Sequence, residues 1–252
     1  MDNELLIITK TFNTYWLNAI LMCLFYSQYS RQILNNHFDG KKNKLFIIFD
    51  LILKKLDCKT NNTFYDIYNI KELIYLFYQN KIISKLEYQE NKYNPIIILE
   101  KIIKFMKKKV INLNYNKKIN PKYSPDYILV SINDNDNKSL DNIINYNGFS
   151  YILDTCIIEN YQYQAIVGIT LNNIKYLFNG WLEKSDNIEI EKKEIHSILD
   201  KSHEELLKFD WSIENNIDFC LNISLYSTEN NENKCISCDK INRTLIYVKY
   251  IK

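Results

Sequence analysis

Glycine, proline, alanine and arginine are all scarce in this chain of 252 residues: 4 Gly, 3 Pro, two Ala (Ala19, Ala165) and two Arg (Arg31, Arg243). With so few chain breakers there is no Gly- or Pro-rich low-complexity tail, and no internal repeat is visible. Lys, Asn, Ile and Tyr take the vacant share, and all four have AT-rich codons. Base composition explains Lys over Arg and Ile over Val, so those preferences carry no chemical meaning here. Excess charge is missing as well, since 32 basic residues face 30 acidic ones for a net +2. That excludes the strong field expected of a nucleic-acid or anionic-membrane binder. The short basic run Lys104–Lys109 is expected to be a solvated helix end. No apolar run reaches the ~20 residues of a membrane span. Met1–Glu4 precedes only the brief apolar stretch Leu5–Ile8, so no secretory signal is expected.

Cysteine is present but scattered, at Cys23, Cys58, Cys156, Cys220, Cys235 and Cys238. This suits a reducing compartment better than a disulfide framework. Cys235–Cys238 has CxxC spacing, yet zinc wants paired clusters and there is no second pair. The expectation is a plain reduced pair, no metal and no cofactor.

What remains is a globular composition, 46% hydrophobic and 14% aromatic, long enough for one large domain or two lobes sharing a core. Leu17, Ile20, Leu21, Leu24 and Phe25 recur at helical spacing, which predicts one long buried helix over Tyr15–Leu34, with Asn13 and Thr14 as cap candidates. Further helices are expected over Leu45–Leu56, Ile70–Tyr78 and Ile96–Lys107, the last opened by Asn94–Pro95. Asn112–Pro125 looks like a linker. Beyond it the period becomes two, predicting strands over Tyr127–Ile132, Phe149–Ile158, Tyr163–Thr170, Ile174–Phe178 and Arg243–Ile251. Leu171–Asn173 should turn a hairpin, and Asp186–Asp200 is expected to be partly helical. Helices first and an antiparallel sheet second make an α+β fold.

Two segments carry a resemblance. Asn13–Thr14–Tyr15–Trp16–Leu17–Asn18–Ala19 followed by an apolar helix is similar to the cysteine box of ubiquitin-specific proteases, Asn-Thr-Cys-Tyr/Trp-x-Asn-Ser/Ala. Gln164–Ala165–Ile166–Val167–Gly168–Ile169–Thr170, then Tyr176–Leu177–Phe178–Asn179–Gly180–Trp181, resembles the histidine box of the versions encoded by large nucleocytoplasmic DNA viruses. Leu207–Trp211, Phe219–Asn222 and Arg243–Val248 look like the tail of that group. The resemblance spans most of the chain and leaves the middle unmatched. It implies a single papain-like domain over residues 1–252, with a helical lobe over about 1–110 and a β-rich lobe over 111–252.

The same resemblance implies a nucleophilic cysteine at a helix tip, a histidine base on a strand and an orienting Asn or Asp on the next. Here the nucleophile position holds Tyr15 and the base position Gln164. Asn179 keeps the orienting position, and Lys10 stands where an oxyanion amide is expected. A phenol with pKa near ~10 is scarcely ionised at neutral pH, and an amide takes no proton. No intact catalytic set follows from this. Cys23 is expected to be a small buried apolar group. His37 is expected in a loop or exposed, and no ligand or catalytic role is expected for His196 or His203. The leading expectation is an inactive protease homologue that binds a protein (viral, host or ubiquitin-like), with Trp16, Asn18 and Trp181 as binding residues and the host cytoplasm or the virion as its place. A virion or assembly component reusing the fold is one alternative. A protease with a displaced nucleophile is the other.

Overall fold

The computed structural model describes residues 15–57, 70–90, 93–113, 124–133, 141–159, 165–178, 207–208, 211 and 242–250, with the backbone alone at positions 15, 55–57, 133, 177–178 and 207–208. Helices come first. α1 (Tyr15–Leu21) runs into a π-helical segment (Met22–Tyr26), followed by α2 (Gln28–Leu34), α3 (Lys44–Asp57), α4 (Ile70–Gln79), α5 (Lys85–Glu90) and α6 (Pro95–Phe105). The strands are β1 (Val110–Asn112), β2 (Tyr127–Asn133), β3 (Ile143–Tyr146), β4 (Phe149–Glu159), β5 (Ala165–Leu171), β6 (Ile174–Phe178), β7 (Leu207–Lys208) and β8 (Asn242–Lys249). They form one sheet in the order β1-β2-β8-β4-β5-β6-β7, with β3 paired to β4 beside that path. The fold is α+β, as its patterning predicts.

The sheet is mixed and not purely antiparallel, because β1 pairs with β2 in parallel. β1 is three buried residues long, too short for an alternating pattern to announce it. All other described pairings are antiparallel. Helices and sheet share one apolar core: Leu17, Ile20, Phe25, Phe49, Phe77 and Leu99 meet Leu129, Ile157, Val167 and Ile246. Alternate strand residues turn to the far face, where Ile128, Ile158, Ile166 and Leu245 pack with Trp211.

The expected single helix over Tyr15–Leu34 is broken at Ser27, and the reason lies in the sheet. Ser27 N–H bonds Met22 O at 3.2 Å, closing the wide π turn. Its own backbone is extended, at φ −67° and ψ 140°. In β4 the register shifts between Leu153 and Thr155, a bulge at Asp154. The Asp154 carboxylate accepts from Ser27 Oγ at 2.7 Å, Tyr29 N at 3.0 Å and Ser30 N at 2.8 Å. A side chain 127 residues away in sequence therefore caps the new helix α2. Ser27 Oγ also accepts from Thr170 N at 3.0 Å, and Thr170 Oγ1 donates to Asp154 O at 2.7 Å. One buried knot thus ties α2, β4 and β5 together.

Besides β1 and the two-residue β7, α5 and β3 went unpredicted. α5 has no buried residue, so it shows no periodicity. Its signature is the reciprocal capping box, Ser84 N to Glu87 Oε2 at 2.6 Å and Glu87 N to Ser84 Oγ at 3.1 Å. β3 enters a hairpin through Asn147 (φ 49°) and Gly148 (φ 78°), the two-residue turn that Asn-Gly favours. Asn172 and Asn173 turn the β5–β6 hairpin as predicted. Asn94 Oδ1 caps α6 by accepting from Ile97 N at 2.9 Å, with Pro95 in the first turn. His37 lies in the turn after α2, as one of its two expected settings had it, and is half-buried there with Nε2 2.7 Å from Met106 O. Among the described residues no helix is long and apolar enough to cross a membrane. The Asp186–Asp200 segment lies outside the described residues, as does most of the expected linker.

The knot makes a quantitative demand. Asp154→Asn keeps the shape and the oxygen that serves Ser27 and Tyr29 but turns an amide donor toward the Ser30 N–H, and should cost about 3 kcal/mol of folding stability. Ser27→Ala should cost about half of that, both measured by urea unfolding. Changes under about 0.5 kcal/mol would mean the carboxylate does not hold the break.

Candidate functional site

The helical stretch from Tyr15 to Leu34 is pinned to the sheet at three points, on β4, on β5 and on the turn after β5. Cys23 Sγ lies 3.0 Å from Thr155 Oγ1, and Thr155 is in register with Ile169. Ser27 meets Thr170, and Tyr29 OH donates to Asn173 Oδ1 at 2.7 Å. Helix and strand therefore advance in the same direction. Tyr15 precedes Cys23 by eight residues, ~12 Å of helix. Ala165 precedes Ile169 by four residues, ~13 Å of strand. The backbone of Tyr15 and that of Ala165 thus stand at the same end of the sheet. On β6 the pairing Val167↔Phe178 brings Phe178 to that end too.

Of the sequence-derived site, the side chain of Tyr15 and all of Lys10, Gln164, Asn179 and Trp181 lie outside the described residues, as do His196, His203, Cys235 and Cys238. Trp16 and Asn18 are described. They are 3% and 2% exposed, and Trp16 stacks on Tyr93 with ring centroids 4.3 Å apart. Both belong to the packing beneath the helix tip.

Cys23 is sealed in the core, and burial first, then the Asp154 and Cys156 charges, push its thiol far above the ordinary range. Cys156, on the other face of the sheet, is pushed up to about 12 by burial. A nucleophile must be a reachable thiolate, and neither sulfur is. Among the described residues, no three His, Cys, Asp or Glu side chains gather in a way that would hold a metal ion.

Two motif residues meet for a reason of shape. A Cβ on Gly168 would lie 2.4 Å from Trp211 Nε1, so only glycine lets the indole rest on β5. Trp211 donates to Tyr176 O at 3.0 Å, with Lys175 Nζ 4.9 Å from the ring centroid. A further group, Glu159, carries no mark in the sequence pattern. It ends β4 in register with Ala165 and Asn242, is 8% exposed, and its Oε2 has no hydrogen-bond partner. Burial alone pushes its carboxyl up to about 7. Alternation along β4 predicts the inward side chain, but an acidic residue at a strand end suggests solvent. Only the fold shows it covered.

The chain matches no known protein-family profile, and no curated protein matches it in sequence. Among solved structures it is similar to a chain from a substituted form of the SAGA Ubp8/Sgf11/Sus1/Sgf73 DUB module, at 11% identity and TM-score 0.44, over 100% of this chain and 70% of that one. It is also similar to a chain from the SAGA Ubp8/Sgf11/Sus1/Sgf73 DUB module, at 10% identity and TM-score 0.40, over 100% and 69% of the two chains. Similarity of that order carries no argument about family or activity.

Thiol labelling checks the first consequence. Iodoacetamide at pH 8 should leave Cys23 and Cys156 unmodified in the folded chain and alkylate both in urea, as read by peptide mass spectrometry. Labelling of Cys23 in the folded chain would contradict its burial. A second consequence concerns pH. Glu159 is raised from 4.5 to about 7, so the folded chain holds a proton that the unfolded chain releases in that interval. Its contribution is full below pH 4.5 and lost as pH rises through 7. Glu159→Gln should therefore unfold at a higher temperature than the parent chain above pH 7, with a flatter profile on the acid side.

Proposed function

We propose that this chain is a catalytically inactive relative of the ubiquitin-specific cysteine peptidases, of the type encoded by large nucleocytoplasmic DNA viruses, acting by binding a protein without cutting it. The observation that carries the reading is the pair of residues in the reactive positions. Two boxes occur in the family's order, one on a helix and one on a hairpin, with Tyr15 in the place of the thiol and Gln164 in the place of the imidazole. Neither side chain supports the chemistry: a phenol near ~10 stays protonated at neutral pH and an amide accepts no proton. Asn179 then has no ring to orient. The described thiols supply no replacement nucleophile, because Cys23 and Cys156 are buried and protonated.

Retention of the box residues around the lost pair favours a scaffold that is still used. Trp16 and Asn18 pack the helix tip, and Gly168 admits Trp211. In this reading the helical and β-rich halves are the two lobes of a papain-like domain, and the partner is viral, host or ubiquitin-like. The amino-acid composition, rich in Lys, Asn, Ile and Tyr, fits an AT-rich genome, and the place of action is the host cytoplasm or the virion.

Ubiquitin carrying a C-terminal electrophile tests the loss of chemistry. The expected outcome is no covalent adduct after prolonged incubation, seen as an unchanged mass. An adduct that disappears in Cys23→Ala would establish an active enzyme with a displaced nucleophile. Titration with unmodified ubiquitin then sorts the partner. Saturable binding makes it ubiquitin-like, and no response at high micromolar concentration directs the search to other proteins.

A further inference from the structure

We propose that Glu159 receives a cationic side chain, the guanidinium of an arginine or the ammonium of a lysine, presented by the protein partner. The proposal rests on the protein-binding reading above and names the chemistry of what is bound beside the helix tip. Glu159 shares its sheet face with Ile157, which belongs to the core under the helices. Its cross-strand neighbours on that face are Ala165 and Asn242. One is a methyl group and the other is uncharged. Ala165, the first residue of β5, stands at the end of the sheet where the backbone of Tyr15 begins α1.

The side chain is more than nine-tenths buried, and Oε2 has no hydrogen-bond donor. Among the described residues no salt bridge reaches it, although exposed lysines elsewhere pair readily with Glu72, Glu87 and Glu100. A carboxylate covered in this way costs free energy that no described residue offsets, a charge penalty that a leucine of similar size would not carry. The group accommodates by holding a proton near neutrality. A cation brought alongside would return the ionised form and release that proton, so binding and deprotonation are coupled.

The sign of the charge narrows the ligand. A carboxylate repels phosphate, which disfavours nucleic acid and anionic phospholipid headgroups. A lone carboxylate is a poor metal site, because hard cations need several oxygens, and no metal-holding cluster exists among the described residues. A basic side chain on a polypeptide fits, since one carboxylate satisfies it through direct hydrogen bonds.

The test uses the full chain with 13C-labelled glutamate carboxyls. Two probes are compared, acetyl-Gly-Arg-Gly-amide and its neutral citrulline twin. In the free protein Glu159, assigned by its loss in Glu159→Gln, should titrate close to neutrality. Millimolar arginine peptide should lower its midpoint by about one unit, a tenfold linkage, and the citrulline twin should not move it. Glu159→Gln should fold and weaken the arginine peptide's affinity about tenfold, with a lysine peptide behaving like arginine. Equal responses to both twins, no response to either, or a free midpoint near an ordinary carboxyl would overturn the proposal. Failure here leaves the ubiquitin experiments untouched, and a chain that binds no ubiquitin can still show the charge-selective shift.

Discussion

The structure depends on a buried carboxylate placed where two irregularities meet. Asp154 occupies the bulge of β4 and caps α2 just after the break at Ser27. Each irregularity alone would leave orphaned groups, the bulge an unpaired strand residue and the break two uncapped amides. Together they satisfy each other. Burial raises the Asp154 pKa, while hydrogen bonds from Ser30, Ser27 and Tyr29 pull it down. The knot also sets how far the helix slides along β5, and thereby which residues of the two boxes stand at the same end of the sheet.

That arrangement explains which sulfur is inert. The chemistry of the proposed family asks for a thiolate at the helix tip, where backbone N–H groups face solvent. Cys23 sits two turns further along, inside the core, where Thr155 is its neighbour and no water reaches it. A thiol there is filler. The reactive role cannot migrate along the helix, because each step inward exchanges solvation for burial. Glu159 shows the opposite situation: a charged group at the candidate site that the fold covers without using.

Much of the fold was visible in the sequence, for physical reasons that differ by element. α6 announced itself through Asn94–Pro95 and its apolar stripe, and β5–β6 through alternation and two asparagines. Patterning reports burial, so elements that bury nothing or everything escaped it. α5 has no buried face, and β1 is buried throughout. The break at Ser27 was invisible because its cause, Asp154, lies 127 residues away. The candidate site divides similarly. In the proposed reading Tyr15 and Gln164 stand in the reactive positions of two boxes, which needs only the sequence. Glu159 needed coordinates, because an acidic residue ending a strand suggests solvent until its cover is seen. Gly168 and Trp211 were each visible as motif residues, but their contact was not.

The central claim is that Tyr15 and Gln164 occupy the places of a nucleophile and its base. Its most direct test is the thiolate titration of a Tyr15→Cys, Gln164→His double variant, followed by ultraviolet absorbance and alkylation rate against pH. The account predicts that the new thiol ionises at least ~2 units lower in the double variant than in Tyr15→Cys alone, where only the helix tip acts on it. Identical titrations in the two variants would place the side chains apart and contradict it.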